Sequence, residues 1–158
     1  MERLQEHTGL RSAEIADGKL KLVLNNTLAA VADGRSEIVR FLEPIDAMVR
    51  NRLEVLFEEM VTNIIRHGFV RNSGQSIHVQ VERGPTAIKL VFEDDGLPFN
   101  PTAVEVPMCP SGADTARIGG LGIPLIVKFS HSLRYEEISP ADGKGFRPRN
   151  RTIVSVAT

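Results

Sequence analysis

EEMVTNIIRHGF, residues 58–69, is the stretch on which the fold turns. No Gly or Pro interrupts the chain from about Asp46 to Arg66, and Gly68 follows as a natural C-terminal stop, so a long helix is expected. At about 100° per residue, Leu53, Leu56, Phe57, Met60, Val61 and Ile64 fill one apolar arc, with Glu58, Thr62 and Arg66 opposite. Glu59, Asn63 and His67 step by only about 40° each, so their row runs from the edge of that arc into it. A carboxylate and an amide placed there must be hydrogen-bonded, metal-bound or lining a cavity, because burying them bare is costly. On this stretch alone, a polar rim residue, a solvated Glu and a satisfied core His explain the row at least as well as a site does.

With 158 residues the chain suffices for one domain with a proper core and is short for two. Its 42% hydrophobic and 25% charged residues are ordinary for a soluble globular protein. A net charge of −1 gives no electrostatic reason to expect nucleic acid or a membrane surface as partner. Cys109 is the only cysteine, which leaves no internal disulfide and fits a reducing compartment. No apolar run reaches the roughly 20 residues of a membrane span and no signal-peptide core opens the chain, so a cytoplasmic protein is expected. There is no Trp and a single Tyr, Tyr135, which argues against single-strand binding by base stacking.

Residues 1–17 are polar and read as an irregular, flexible lead-in, with a single domain over 18–158. KLKLVLNN (19–26) alternates as a strand. TLAAVADGRSEIVRFLEPI (27–45) has helical periodicity, with an interruption expected near Asp33-Gly34 and a stop near Pro44. After the long helix, 76–84 and 86–96 alternate as strands joined at Gly84-Pro85, a hairpin signal. Residues 97–120 are rich in Pro and Gly and lack periodicity, as a long functional loop does. LGIPLIVKFS (121–130) suits a buried helix with Pro124 in its first turn, and 132–139 and 151–157 read as closing strands. The expected architecture is an α+β two-layer sandwich, with helices on one face of a mixed, mostly antiparallel sheet.

Further polar features stand out. Asp94 shares the strand face of Ile88, Leu90 and Phe92 and is followed by Asp95-Gly96. A carboxylate ending a core face in this way is either a turn former or a ligand at a pocket mouth. RIGGLGIPL (117–125) is a glycine cluster opening a helix, where free N–H groups make an anion site and glycines admit close backbone approach. It is neither a P-loop nor a dinucleotide fingerprint, lacking the Lys-Ser/Thr of one and the preceding strand of the other.

In chain order, Glu-x-x-x-Asn on a helix, a strand ending Asp-x-Gly, and a loop entering Gly-x-Gly and a helix resemble the Bergerat-fold (GHKL) ATP-binding superfamily. The resemblance spans about residues 19–157. EEMVTNIIRHGF, EDDGLPFNP and GGLGIPLI are most similar to the motifs of the stand-alone anti-sigma factor serine/threonine kinases. That resemblance implies ATP and Mg²⁺ as cofactors, with Asn63 as the metal residue and Glu59 as general base or orienting group. It implies that Asp94 accepts from the adenine amino group and that Gly96 lets the base sit close. Gly119, Gly120, Leu121 and Gly122, with a lid over about 97–120, would wrap the phosphates. His67 would shape the pocket wall, and Arg117 would either reach the terminal phosphate or be a solvated lid charge. The chain departs from the superfamily at Pro98, where a Gly is usual, a Pro-Phe form that related stand-alone regulators share. It departs again at Asn150-Arg151-Thr152, where a Gly-Thr pair is usual, so that Thr152 only loosely stands in for the adenine-side threonine.

Fold alone does not choose among the superfamily's activities. The chain leaves no room for the following domain of a gyrase-like or Hsp90-like ATPase. Ahead of the domain there is too little for the dimerisation helix of a histidine kinase. A single-domain kinase is therefore expected, phosphorylating a STAS-type anti-sigma factor antagonist, binding a sigma factor and forming a homodimer. The alternative is an ATP-binding module that sequesters a partner without transferring phosphate.

Overall fold

The computed structural model describes residues 9–68, 76–105, 122–139 and 149–158. Six strands make one sheet: β1 (Leu10–Ala16), β2 (Lys19–Asn25), β3 (Ser76–Arg83), β4 (Ala87–Asp94), β5 (Ser132–Ile138) and β6 (Arg149–Ala157). Their order is β1-β2-β3-β4-β6-β5. Every described pairing is antiparallel, so the sheet is more uniform than the mixed one expected. Alternation sets the faces. Leu20, Leu22, Leu24, Ile77, Val79, Val81, Ile88, Leu90, Phe92, Val154 and Val156 are buried on one side. Lys21, Lys89 and other intervening residues stay exposed or half-buried on the other.

Against the buried side lie α1 (Ala29–Phe41), α2 (Ala47–Asn63) and α3 (Gly122–Phe129). The Asp46 side chain caps α2 by accepting from Met48 N (2.9 Å) and Val49 N (3.4 Å). The apolar arc read from the sequence is the buried one: Leu53, Leu56, Phe57, Met60, Val61 and Ile64 all join the core. Phe57 meets Phe92 of β4 with ring centroids 6.4 Å apart, which ties helix to sheet. Among the described residues no helix is long and apolar enough to cross a membrane.

Some expectations give way. Residues 10–16, expected to be irregular, form β1, paired with β2 through a tight turn. Asp17 (φ 53°) and Gly18 (φ 73°) supply the left-handed conformations that a two-residue hairpin turn requires. As an edge strand β1 is exposed along most of its length and carries Arg11 and Glu14, which blunt strand addition. Asp33-Gly34 does not interrupt α1; Gly34 is buried inside it. A Cβ there would lie 2.5 Å from Phe57 Cζ, so the glycine is present for close helix packing.

The end of α2 is also different from a plain α-helix. Ile64–Gly68 form a π-helical turn, the wider geometry that often marks functional sites. This breaks the row Glu59–Asn63–His67. Glu59 and Asn63 are half-buried as the spacing requires, but His67, expected to turn further into the apolar arc, is exposed.

Candidate functional site

A narrow cleft opens where the C-terminal end of α2 meets the ends of β4 and β6, lined by Met60, Asn63, Ile64, Asp94, Asn150 and Thr152 among others. Its enclosed space is small, about 20 Å³, enough for about one water. Leu97 and Phe99 stand exposed at its mouth. Larger hollows lie on the open sheet face (about 290 Å³) and between α1 and α2 (about 700 Å³). Neither of them gathers residues from separate motifs, whereas the smaller cleft brings Asn63 of the first together with Asp94 of the second.

Asp94 ends β4 on the core face and is 5% exposed. Its Oδ1 accepts from Gly96 N (2.9 Å), closing the turn, and from Asn150 Nδ2 (3.0 Å). Burial raises the Asp94 pKa above the ordinary carboxylate value, and the donors from Asn150 and Gly96 oppose that rise. Among the described residues Oδ2 has no hydrogen-bond donor, which leaves one oxygen of a buried carboxylate as an acceptor in the cleft.

Gly96 was expected to make room for a base. The nearer constraint is the protein itself, since a Cβ at Gly96 would lie 2.7 Å from the Gly68 carbonyl oxygen. Leu97 N donates to that same oxygen at 2.9 Å, joining the turn after β4 to the end of the helical segment. Pro98 is exposed. His67 stacks on Phe99 with centroids 6.3 Å apart, so it supports a cleft residue rather than facing the interior.

At the other end, Glu59 and Asn63 sit one turn apart on α2 and both face the first residue of α3. A Cβ built on Gly122 would be 2.8 Å from Glu59 Oε2 and 3.5 Å from Asn63 Nδ2. Gly122 therefore lets α3 start against these side chains; any larger residue would displace the carboxylate. Asn63 Nδ2 is buried with no hydrogen-bond partner among the described residues, a cost of about 1–3 kcal/mol in a finished structure. Thr152, buried at 5% exposure, lines the cleft two residues along β6 from Asn150, on the same face. Arg117, Gly119, Gly120, Leu121 and most of the expected lid lie outside the described residues. The start of that loop, Pro101–Ala103, is a 3₁₀ turn whose Asn100 side chain accepts from Thr102 N at 2.9 Å.

Two participants were missed by the motif reading. Asn150 pairs in register with Asp94 across β4 and β6. Its Nδ2 also donates to the carbonyls of Gly96 and Leu97, both at 3.1 Å. Tyr135, on β5, donates its hydroxyl to Asn150 Oδ1 at 2.7 Å. The period-two rule, extended back from Val154 and Val156 to position 150, was the available signal: it puts an amide on the core face.

An antiparallel sheet backed by helices, with an Asn-bearing helix and an Asp-ending strand sharing a cleft, defines an ATPase-type architecture. Residues 24–145 match the model of the histidine kinase-like ATPase domain, and the chain belongs to that family. It is also similar to the serine/threonine-protein kinase BtrW of Bordetella bronchiseptica. The two are 27% identical over 117 residues, covering 74% of this chain and 82% of the relative.

Proposed function

We propose that this chain is an ATP-dependent serine/threonine protein kinase of the anti-sigma factor type. It would act in the cytoplasm as a homodimer, phosphorylate a STAS-type antagonist and bind a sigma factor in turn. The observation that carries the reading is that Asn63 and Asp94, separated in sequence, line one cleft, with Glu59 a helical turn from Asn63. The similarity to a relative named as a serine/threonine-protein kinase supports the activity.

The residues fit the division of labour in phosphoryl transfer, which rests on positioning and charge neutralisation. Asp94 Oδ2 accepts from the 6-amino group of adenine. Thr152 and Asn150 close the far wall, and Leu97 and Phe99 stand at the mouth through which the base would enter. The Asn63 amide, untethered at its nitrogen, presents Oδ1 to a hard cation. Among the described residues no group of His, Cys, Asp and Glu makes a closed metal cage. A single amide oxygen suits magnesium, which keeps waters and phosphate oxygens as its other ligands. Mg²⁺, when bound, neutralises charge on the β- and γ-phosphates. Glu59 accepts the proton of the substrate hydroxyl as its oxygen bonds to the γ-phosphorus and ADP leaves. Arg117, Gly119, Gly120, Leu121 and Gly122 are assigned to the phosphates, and His67, Gly96 and Pro98 to the frame of the base site.

The test combines purified protein, γ-labelled ATP, Mg²⁺ and candidate antagonist domains. Label is expected on a Ser or Thr of one antagonist, lost in Glu59→Gln. Binding of ATP without label on any antagonist, with Glu59→Gln leaving signalling untouched, makes the chain a sequestering module instead.

A further inference from the structure

The hydrogen bonds around Asn150 have a direction that matters. A tyrosine hydroxyl that donates to Asn150 forces the amide oxygen toward β5. The amide NH₂ must then point at Asp94 Oδ1 and the carbonyls of Gly96 and Leu97. All of these partners are acceptors, so the reversed amide would set oxygen against oxygen. The Asp94 carboxylate is thereby pinned through one oxygen while the other stays open to the cleft.

We propose that Tyr135 and Asn150 are positioning residues that set base selectivity, by holding Asp94 so that it accepts from a purine 6-amino group and repels a 6-oxo group. The inference rests on the nucleotide-site reading above and deepens it. The Tyr135 hydroxyl acts through Asn150, to which it donates at 2.7 Å. Without it the Asn150 amide keeps its NH₂ on these acceptors but loses the bond that anchors its oxygen, so Asp94 is held less firmly and the advantage of a donor at position 6 shrinks. The same amide holds the turn at residues 96 and 97, so the carboxylate and the mouth of the cleft move together.

The experiment measures equilibrium binding of ATP, of GTP and of purine riboside triphosphate, which lacks any group at position 6. Wild type, Tyr135→Phe and Asn150→Asp are compared after circular dichroism shows each to be folded. Tyr135→Phe is expected to weaken ATP about three- to tenfold, the value of one hydrogen bond, with purine riboside triphosphate unchanged. The preference for ATP over both analogues contracts by the same factor. Asn150→Asp sets a second carboxylate against Asp94 and removes the preference further. Equal weakening of all three nucleotides would mean a structural role only and overturns the proposal. So does a preference kept in full by both variants, a result that leaves the nucleotide site standing. Wild type that binds no nucleotide at all overturns the site reading and this inference with it.

Discussion

At the Asp94 end of the cleft, Tyr135, Asn150, Gly96 and the carboxylate are bonded to one another in a closed set. At the Asn63 end, a buried amide nitrogen has no partner among the described residues, and Glu59 lies against a glycine. The first end is preorganised: its geometry exists before a ligand arrives and is paid for by folding. The second is left incomplete, and under the proposed function its polar groups would gain partners when an ion and phosphates bind. Such a contrast suits an enzyme that must hold one end of a ligand still while the other reacts.

The contrast can be broken most strongly at Glu59. Glu59→Gln is expected to lower phosphoryl transfer about 10²- to 10⁴-fold, the usual worth of a general base, while ATP affinity measured by calorimetry changes little. Stability should separate the ends as well. Asn150→Leu leaves Asp94 and carbonyls of the turn without their donor and should cost about 2–4 kcal/mol in urea unfolding. Asn63→Leu removes an atom that already lacks a partner, and should be neutral or slightly stabilising without ligand. The same change should abolish the rise in melting temperature given by Mg-ATP. Gly96→Ala presses a methyl group onto the Gly68 carbonyl, which is backbone and yields little; about 1–3 kcal/mol of destabilisation is expected.

The smallest effects are those of pH. Asp94 has a folded pKa raised by burial, so the native state binds its proton more readily than the unfolded chain. Its contribution to stability is full below the ordinary aspartate range and declines as pH rises through the raised value. If Asp94 accepts from the base as proposed, binding needs its ionised form, so ATP affinity should fall on acidification at a pH above the usual ~3.9 of an aspartate. His78, on the open face, has a pKa lowered by burial first and by Arg149 second. Its contribution is full above the ordinary histidine value and is lost as pH falls through the lowered one. Urea midpoints should therefore drop between neutral pH and pH 5, and His78→Gln should flatten that slope.

Much of this was legible from residues alone where one periodicity governed. The buried arc of α2 and the strands β2 to β4 follow from apolar spacing because burial is what forms them. β1 was missed because LRSAEIA has almost nothing to bury, although Asp17-Gly18 is a strong hairpin signal. Gly34 was misjudged because local propensity cannot show that Phe57 needs the space. The π turn left no mark in the apolar pattern, so the exposure of His67 was out of reach. Asn63 and Asp94 were readable as polar intrusions into apolar faces. Asn150 and Tyr135 were not singled out, since their meaning comes from cross-strand register, which pairs distant segments.

The bond from Leu97 N to Gly68 O joins the first and second motifs through backbone atoms alone. Side-chain replacement at either position leaves that link in place, with proline at 97 the exception because it has no N–H. The spacing between the segments is thus shielded from most sequence drift. Gly96 is the neighbour that this link does constrain, because a Cβ there would lie 2.7 Å from the Gly68 carbonyl oxygen.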